Sequence, residues 1–402
     1  MGDMFGGIVV CVYGSIIRHG LGGETEAKMK PEVIVYRHQL FKFSEPFIAA
    51  QAQSCTKFAP IYVGRRTVGT PPEGAQVITL REGDFLSLAR HVFLRDPTPF
   101  LKYGLQNKKP ALLHAHFGVE GVYALPLAQE LGIPLITTFH GFDVTATVAG
   151  LVLSGKVSWL NYALFRNRLA QNGTLFLCVS DYLHAKLISI GFPKERIITH
   201  YIGIDVTKIL PNFQPRKSNL ILQVARLVEK KGTEYLIESF RKITVYDKNC
   251  SLVIVGDGPL RKKLVRKVSS YGLQDRVIFL GVRPHQEVLD LMQKAIVLVQ
   301  PSVTARTGDS EGLGSVFLEA AASGIPVIGT HHGGIPEAVV DGVTGFLVPE
   351  RDADALAEKL LVLLSDKSLR EEMGRAGRKM VEDKFDMRRQ TEKLEKIYEG
   401  LL

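Results

Sequence analysis

From Glu32 onward, short apolar runs alternate with amphipathic stretches. The runs Val33–Tyr36, Ala59–Val63, Gln76–Thr79, Ala111–Ala115, Leu135–Thr138 and Leu175–Val179 are continuous, and several are rich in β-branched residues. A strand with one wet face alternates with period two, whereas an unbroken run fits a parallel strand covered on both faces. Between them, helical periodicity predicts helices over Gly121–Leu131 and Asp181–Ser189. Strand and helix in this alternation predict a doubly wound α/β unit.

The pattern pauses at Asp205–Ser218, where Pro211, Pro215 and polar residues predict a linker. A second series follows, with strands at Asn219–Val224, Ser251–Val255, Val277–Leu280, Ile296–Gln300 and Pro326–Gly329. Helices are expected at Gly232–Thr244, Pro259–Tyr271, His285–Lys294, Ser315–Ser323 and Ala353–Ser365. The chain therefore divides into a first α/β domain, residues 31–210, and a second, residues 211–385. Residues 386–402 form a C-terminal helix able to pack back on the first domain. Ligands of such sheets sit beyond the carboxyl ends of the strands, so two facing domains each supply one wall of a central cleft. Residues 1–30 are Gly-rich and precede the clean start at Pro31, which predicts a disordered extension. The apolar run Ile8–Ile17 is a weak match to a signal peptide: it is short, and Asp3 rather than a basic residue precedes it.

Composition narrows this little further. The 402 residues are 46% hydrophobic and 23% charged, which excludes general disorder, coiled coil and disulfide scaffold. Cys11, Cys55, Cys178 and Cys250 are far apart, so there is no CxxC pair, and a reducing, cytoplasmic compartment is expected. No apolar run is long enough to span a membrane. The net charge of +9 suits an anionic partner such as a membrane surface or a phosphorylated lipid, and equally a solvated basic surface. The stretch KVSWLNYALFRNR, residues 156–168, mixes basic residues with Trp159, Tyr162 and Phe165. As a helix it fits either a peripheral contact with the inner face of a membrane or ordinary core packing.

The segment with most chemistry is DSEGLGSVFLEAAASGIPVIGTHHGGIPE, residues 309–337. Glu311 and Glu319 lie eight apart, Gly312 and Gly314 let the intervening loop approach a ligand, and Ser315 is the expected N-cap of the next helix. Free amides at a helix start favour phosphate, and two carboxylates beside them suit hydroxyl donors. A molecule with phosphates in the middle and polyols at both ends is a nucleotide sugar. Arg226 and Lys231, in VARLVEKKG, follow a strand and supply cations for the diphosphate, while Lys230 is expected to face solvent. His140, with Asp143 nearby in TTFHGFDVT, lies at the matching edge of the first domain. His114 and His116 end another strand, but without a third ligand they predict no metal site. Asp352-Ala353-Asp354 matches a DxD metal string but reads better as a helix cap, and Gly256-Asp257-Gly258 lacks the third glycine of a dinucleotide loop.

These residues resemble the GT-B retaining glycosyltransferases of family 4, the group 1 glycosyltransferases. The resemblance rests on E-x7-E in EGLGSVFLEAAASGIPVIGT and R-x4-K at Arg226 and Lys231. It extends to VIVGDGPLR, PSVTARTGDSEG, GGIPEAVVDGVTGFLV and HGFD, covers about residues 32–400, and points to the capsular and colanic-acid exopolysaccharide subgroup. It implies two Rossmann-like domains and transfer of a sugar, with retention and without a metal or other cofactor, from a UDP- or GDP-sugar. The implied acceptor is a glycan or a polyprenyl-diphosphate-linked glycan, and no nucleic acid is involved. By the resemblance, Arg226 and Lys231 bind the diphosphate, Glu311 contacts the transferred sugar, Glu319 the ribose, and the amides of Gly312, Leu313 and Gly314 face phosphate and sugar. His140 lies against the sugar, and Arg283 belongs where the base is held. The chain departs from many relatives after its first strand, where Phe43-Ser44-Glu45 stands in place of a glycine-rich loop. Gly22-Gly23-Glu24 resembles that loop but precedes the strand. The alternative reading is a non-catalytic subunit that binds a nucleotide sugar or a partner enzyme.

Overall fold

Continuous apolar runs hydrogen-bond side by side into two parallel sheets. The computed structural model describes residues 30–214 and 219–402, so the expected extension up to Met29, Gly22–Glu24 and linker residues 215–218 lie outside the described residues. The first sheet contains β1 (Glu32–Tyr36), β2 (Ala59–Gly64), β3 (Gln76–Thr79), β4 (Leu112–His116), β5 (Leu135–Phe139), β6 (Leu175–Cys178) and β7 (Ile197–Thr199). Their spatial order is β3-β2-β1-β4-β5-β6-β7, every pairing parallel. The second contains β8 (Leu220–Val224), β9 (Ser251–Val255), β10 (Val277–Gly281), β11 (Val297–Val299), β12 (Val327–Thr330) and β13 (Gly345–Val348). Its order, β10-β9-β8-β11-β12-β13, repeats the same winding. In each, the order reverses beside the first strand, and this switch point is where an open parallel sheet leaves a crevice. The strands read from sequence agree within a residue or two. The edge strands β7 and β13 did not stand out, because each is short and set among turn residues.

The helices used below are α1 (Phe85–Leu94), α2 (Gly118–Leu131), α3 (Val157–Asn172), α4 (Asp181–Ser189), α5 (His285–Lys294), α6 (Ser315–Ala322), α7 (Lys367–Lys384) and α8 (Met387–Glu399). Helix α3 bears on the two readings of residues 156–168. Tyr162 is fully buried, Trp159 stacks on Phe142 at 5.0 Å, and Arg95 lies 3.5 Å over Phe165. Tyr162 is thus a core residue, while Trp159 and Phe165 are half-buried against Phe142 and Arg95.

Two strands of chain cross between the sheets, and they are bonded to each other. Ile204 N donates to Phe385 O at 2.7 Å, and Met387 N donates to Ile204 O at 2.9 Å. Beyond this crossing, α8 returns to the first sheet. Leu394 and Tyr398 pack with Val33, Phe58, Leu112 and Ile136, and the Tyr398 hydroxyl bonds His114 Nδ1 at 2.6 Å. Glu395 accepts from Lys57 N at 2.6 Å and Thr56 Oγ1 at 3.1 Å. The Asp352 side chain accepts from the amides of Asp354 and Ala355, as a helix cap does.

The docking of α8 gives a graded prediction. Tyr398→Ala removes a buried aromatic and should cost about 3–5 kcal/mol, whereas Tyr398→Phe leaves His114 without one partner and should cost about 1–2 kcal/mol. Urea unfolding checks both, and equal costs would contradict the assigned hydrogen bond.

Candidate functional site

The site is built where loops leaving β8, β11, β12 and β5 converge. After β8, Arg226 is exposed, and a short helical turn over Glu229–Lys231 brings Lys231 inward. Lys231 Nζ donates to Glu311 Oε2 at 2.7 Å, and Ser302 Oγ donates to the same oxygen at 3.4 Å. Burial pushes the Glu311 carboxyl up, but the ammonium groups of Lys231 and then Lys230 outweigh it and hold the carboxyl down at about 2. Burial lowers Lys231, and Glu311 opposes that shift. Glu311 is therefore ionised at neutral pH.

Lys230 does not face solvent. It is 7% exposed, and its Nζ donates to Asp309 Oδ1 at 2.9 Å and to Ser310 O at 3.3 Å. The expectation failed because both lysines sit on one tight turn with acidic and carbonyl groups on its inner side. His332 fixes Glu311 from behind. Its Nε2 accepts from Glu311 N at 3.0 Å, so Nδ1 carries the ring proton and donates to Glu350 Oε1 at 2.8 Å.

Glycines allow three loops to stack here. A Cβ on Gly312 would lie 2.2 Å from His140 O, one on Gly334 2.0 Å from Gly312 O, and one on Gly333 2.2 Å from Glu311 O. Gly312 therefore serves loop packing, while Leu313, though buried, reaches the wall of the larger cavity described below. Gly314, at φ +84°, is the residue preceding α6. Ser315 is the first residue of that helix and not its cap, because the left-handed turn needs glycine one position earlier. Helix α6 begins at the cleft wall, which includes Ser315 and Val316, and the amides that open a helix have no partner further along it.

Glu319, one turn into α6, accepts from His285 Nε2 at 3.1 Å, and that hydrogen bond raises His285 above its ordinary pKa. Arg283 is exposed on the same wall, with Nε 3.9 Å from Glu287 Oε2. Arg226, Lys231, Glu311, Gly314, Glu319 and Arg283 all line one cavity of about 840 Å³.

A second cavity, of about 1370 Å³, shares Arg226, Lys231, Glu311 and Gly314 but extends over the first domain. His140 lines it. Its Nε2 is 3.2 Å from His116 Nδ1, Phe117 lies 4.4 Å from its ring, and burial holds the imidazole neutral. Asp143 is structural: its carboxylate accepts from the amides of Gly118 at 2.8 Å and Gly141 at 2.9 Å, and burial raises it to about 6. His114 has both ring nitrogens engaged, by Tyr398 and by Thr138. Among the described residues, no group of three or more His, Cys, Asp or Glu side chains is placed to hold a metal ion.

Sequence reasoning missed the polar cluster at the first sheet's switch point. Arg37, just past β1, clamps Glu45 with two bonds of 2.8 Å, bonds Glu120, and stacks 4.2 Å from Phe117. Glu45 of the Phe43-Ser44-Glu45 loop is thus anchored by a salt bridge in a place where glycines were absent. Phe117 holds φ +76°, a conformation that costs a bulky residue about 1–3 kcal/mol. Buried His38 Nε2, Glu120 Oε2 and Arg65 Nη2 have no hydrogen-bond partner among the described residues, and all three side chains line the larger cavity. The available signal was positional: each follows a strand end or opens the next helix. A second missed contact joins the domains, where the Glu337 carboxylate accepts from Asp181 N at 2.8 Å and Tyr182 N at 2.9 Å at the start of α4.

Comparison with known proteins bears on the family and the fold. Residues 57–208 match the family described as Glycosyltransferase Family 4, and residues 207–380 match Glycosyl transferases group 1. A putative colanic acid biosynthesis glycosyltransferase of Escherichia coli (strain K12) is 38% identical over 251 residues, 61% of this chain; the matched region spans 59% of that relative's length. The amylovoran biosynthesis glycosyltransferase AmsK of Erwinia amylovora is 33% identical over 306 residues, 73% of this chain and 72% of that protein. Among solved structures, Anabaena HepE in complex with UDP and glucose superposes with a TM-score of 0.72 at 18% identity, covering 92% of this chain and all of that one. The fold is GT-B, two Rossmann-like domains about a cleft.

The ion pair sets an acid limit. Glu311 is depressed from 4.5 to about 2, so its stabilisation is complete above about pH 4.5 and is lost as pH falls towards 2. Glu311→Gln should remove this part of the acid dependence, as seen in thermal unfolding against pH. An unchanged profile would contradict the pairing.

Proposed function

Because the chain belongs to the group 1 glycosyltransferases, we propose that it transfers a sugar from a nucleotide-diphosphate sugar to a glycan or lipid-linked glycan in exopolysaccharide biosynthesis. The observation that carries this reading is the smaller cavity, where cations and carboxylates from separate segments share one wall: Arg226, Lys231, Glu311 and Glu319. The names of the colanic-acid and amylovoran relatives favour a surface-polysaccharide product. HepE, solved with UDP and glucose, favours UDP, and GDP is the other base to test.

In this reading the second domain, residues 211–385, holds the donor, and the first, residues 31–210, faces the acceptor. Arg226, Lys231 and the amides opening α6 receive the diphosphate. Arg283 lies towards the base and Glu319 towards the ribose. Glu311 and His140 face the transferred sugar. As the glycosidic bond breaks, negative charge grows on the leaving diphosphate. A guanidinium, an ammonium and helix amides stabilise that charge more in the transition state than in the bound donor. The chain's own cations would thus do the work of a metal ion. Neutral His140 suits hydrogen bonding to a sugar hydroxyl better than carrying charge. Transfer proceeds with retention, and the leaving phosphate takes the acceptor's proton. The larger cavity, with its unmet donors and acceptors at Arg65, His38 and Glu120, suits a hydroxyl-rich acceptor.

Thermal unfolding with UDP, GDP, ADP and CMP tests the donor site. The matching nucleotide at about 100 times its Kd should add roughly 2.7 kcal/mol, and the gain should persist in EDTA. Arg226→Ala should weaken that nucleotide by about tenfold or more, since a charge-assisted phosphate contact contributes about 1.5–3 kcal/mol. Its unliganded stability should not change, because Arg226 is exposed. No response to any nucleotide would refute the reading.

A further inference from the structure

The first sheet carries a column of histidines that ends at the larger cavity. In the parallel register of β4 and β5, His114 lies beside Ile136 and His116 beside Thr138. Alternate residues of a strand share a face, so His114, His116 and Thr138 project together. His140 lies two residues past Thr138, just where β5 ends. The contacts step diagonally across the two strands. His114 Nε2 bonds Thr138 Oγ1 at 2.6 Å, and His116 Nδ1 bonds His140 Nε2 at 3.2 Å. The rings of His114 and His116 stack at 4.4 Å, and those of His116 and His140 at 5.4 Å. Tyr398 of α8 pins the far end of the column by its bond to His114 Nδ1. At the near end, His140 lines the cavity.

We propose that His116 is a positioning residue for sugar transfer: its Nδ1 fixes the ring and the tautomer of His140 and leaves His140 Nδ1 to meet the transferred sugar. This rests on the reading that His140 faces that sugar. Burial holds both imidazoles well below their ordinary pKa, so both are neutral. A neutral imidazole has one N–H and one bare nitrogen. One proton therefore lies between His116 Nδ1 and His140 Nε2, and its owner decides what His140 Nδ1 can do. When His116 donates, His140 Nδ1 carries a proton and donates to a sugar oxygen. When His140 donates, its Nδ1 is bare and accepts from a sugar hydroxyl. Without His116, both tautomers are open to His140. His140 Nδ1 has no hydrogen-bond partner among the described residues, so it is the nitrogen left to be satisfied. Phe117 at 4.4 Å and Phe47 at 5.2 Å flank the same ring with carbon alone, and neither can select a tautomer. His116 is 3% exposed, so it acts through His140 and not on the substrate.

Two substitutions separate positioning from packing. His116→Asn puts an amide near the place of Nδ1, able to donate or accept, but leaves a packing gap. His116→Phe keeps a stacked ring and removes both nitrogens; His116→Leu, equally without nitrogen, serves if His116→Phe does not fold. Calorimetric titration compares UDP-glucose with UDP, and GDP-mannose with GDP. His116→Phe should weaken the matching conjugate about fivefold, the worth of one neutral hydrogen bond, and leave the bare diphosphate unchanged. His116→Asn should keep native affinity for both. A packing role predicts the reverse order, with His116→Phe the milder change, and that order would overturn the proposal. Nitrogen-15 NMR of the histidine-labelled chain without ligand reads the tautomers directly. The His140 signals, identified by their loss in His140→Asn, should show one tautomer in the native chain and in His116→Asn, and an average of two in His116→Phe. Unchanged His140 signals in His116→Phe would overturn the proposal. The tautomer change without binding of any nucleotide would refute sugar transfer and leave the coupling of the two rings standing; conjugate binding without the tautomer change would do the reverse.

Discussion

Burying an ammonium and a carboxylate together between two sheets is the constraint around which this cleft is organised. Neither Lys231 nor Glu311 could remain charged there alone, and their pairing holds two loops from different strands in register. Lys230 adds a second cation against Asp309, so the turn after β8 is tied twice to the loop before α6. His332 and Glu350 then fix the backbone of Glu311. The outcome is a charge pattern held in place by paired side chains beside the start of α6.

The same loops join the two domains. His140 O sits against Gly312, Gly312 O against Gly334, and Glu337 caps α4 across the interface. Any side chain at these glycines would force the layers apart. The crossing strands at Ile204 and Phe385–Met387 are bonded to each other, and Ile204 and Met387 line the smaller cavity.

Much of this was legible in the chain. Parallel strands buried on both faces leave continuous apolar runs, and both repeats of the winding could be read from them. Arg226, Lys231, Glu311 and Glu319 stand at spacings that place them at strand and helix ends, and they line one cavity. What could not be read depends on which side of a turn faces inward. Lys230 was assigned to solvent because local sequence does not show Asp309 opposite it. The Arg37–Glu45–Glu120 cluster joins residues up to 83 apart, a tertiary fact with no local signature. Tyr162 of α3 turned inward, while Phe85, Leu86, Phe93 and Leu94 of α1 stay exposed, and helical spacing carries no sign of which face is covered.

The central claim is that Glu311 meets the transferred sugar while Arg226 and Lys231 meet the diphosphate. The most direct test is calorimetric titration of native and Glu311→Gln protein with the nucleoside diphosphate that stabilises the chain and with its sugar conjugate. The account predicts that the substitution weakens the sugar conjugate more than the bare diphosphate. Equal weakening of the two, or none, would contradict it.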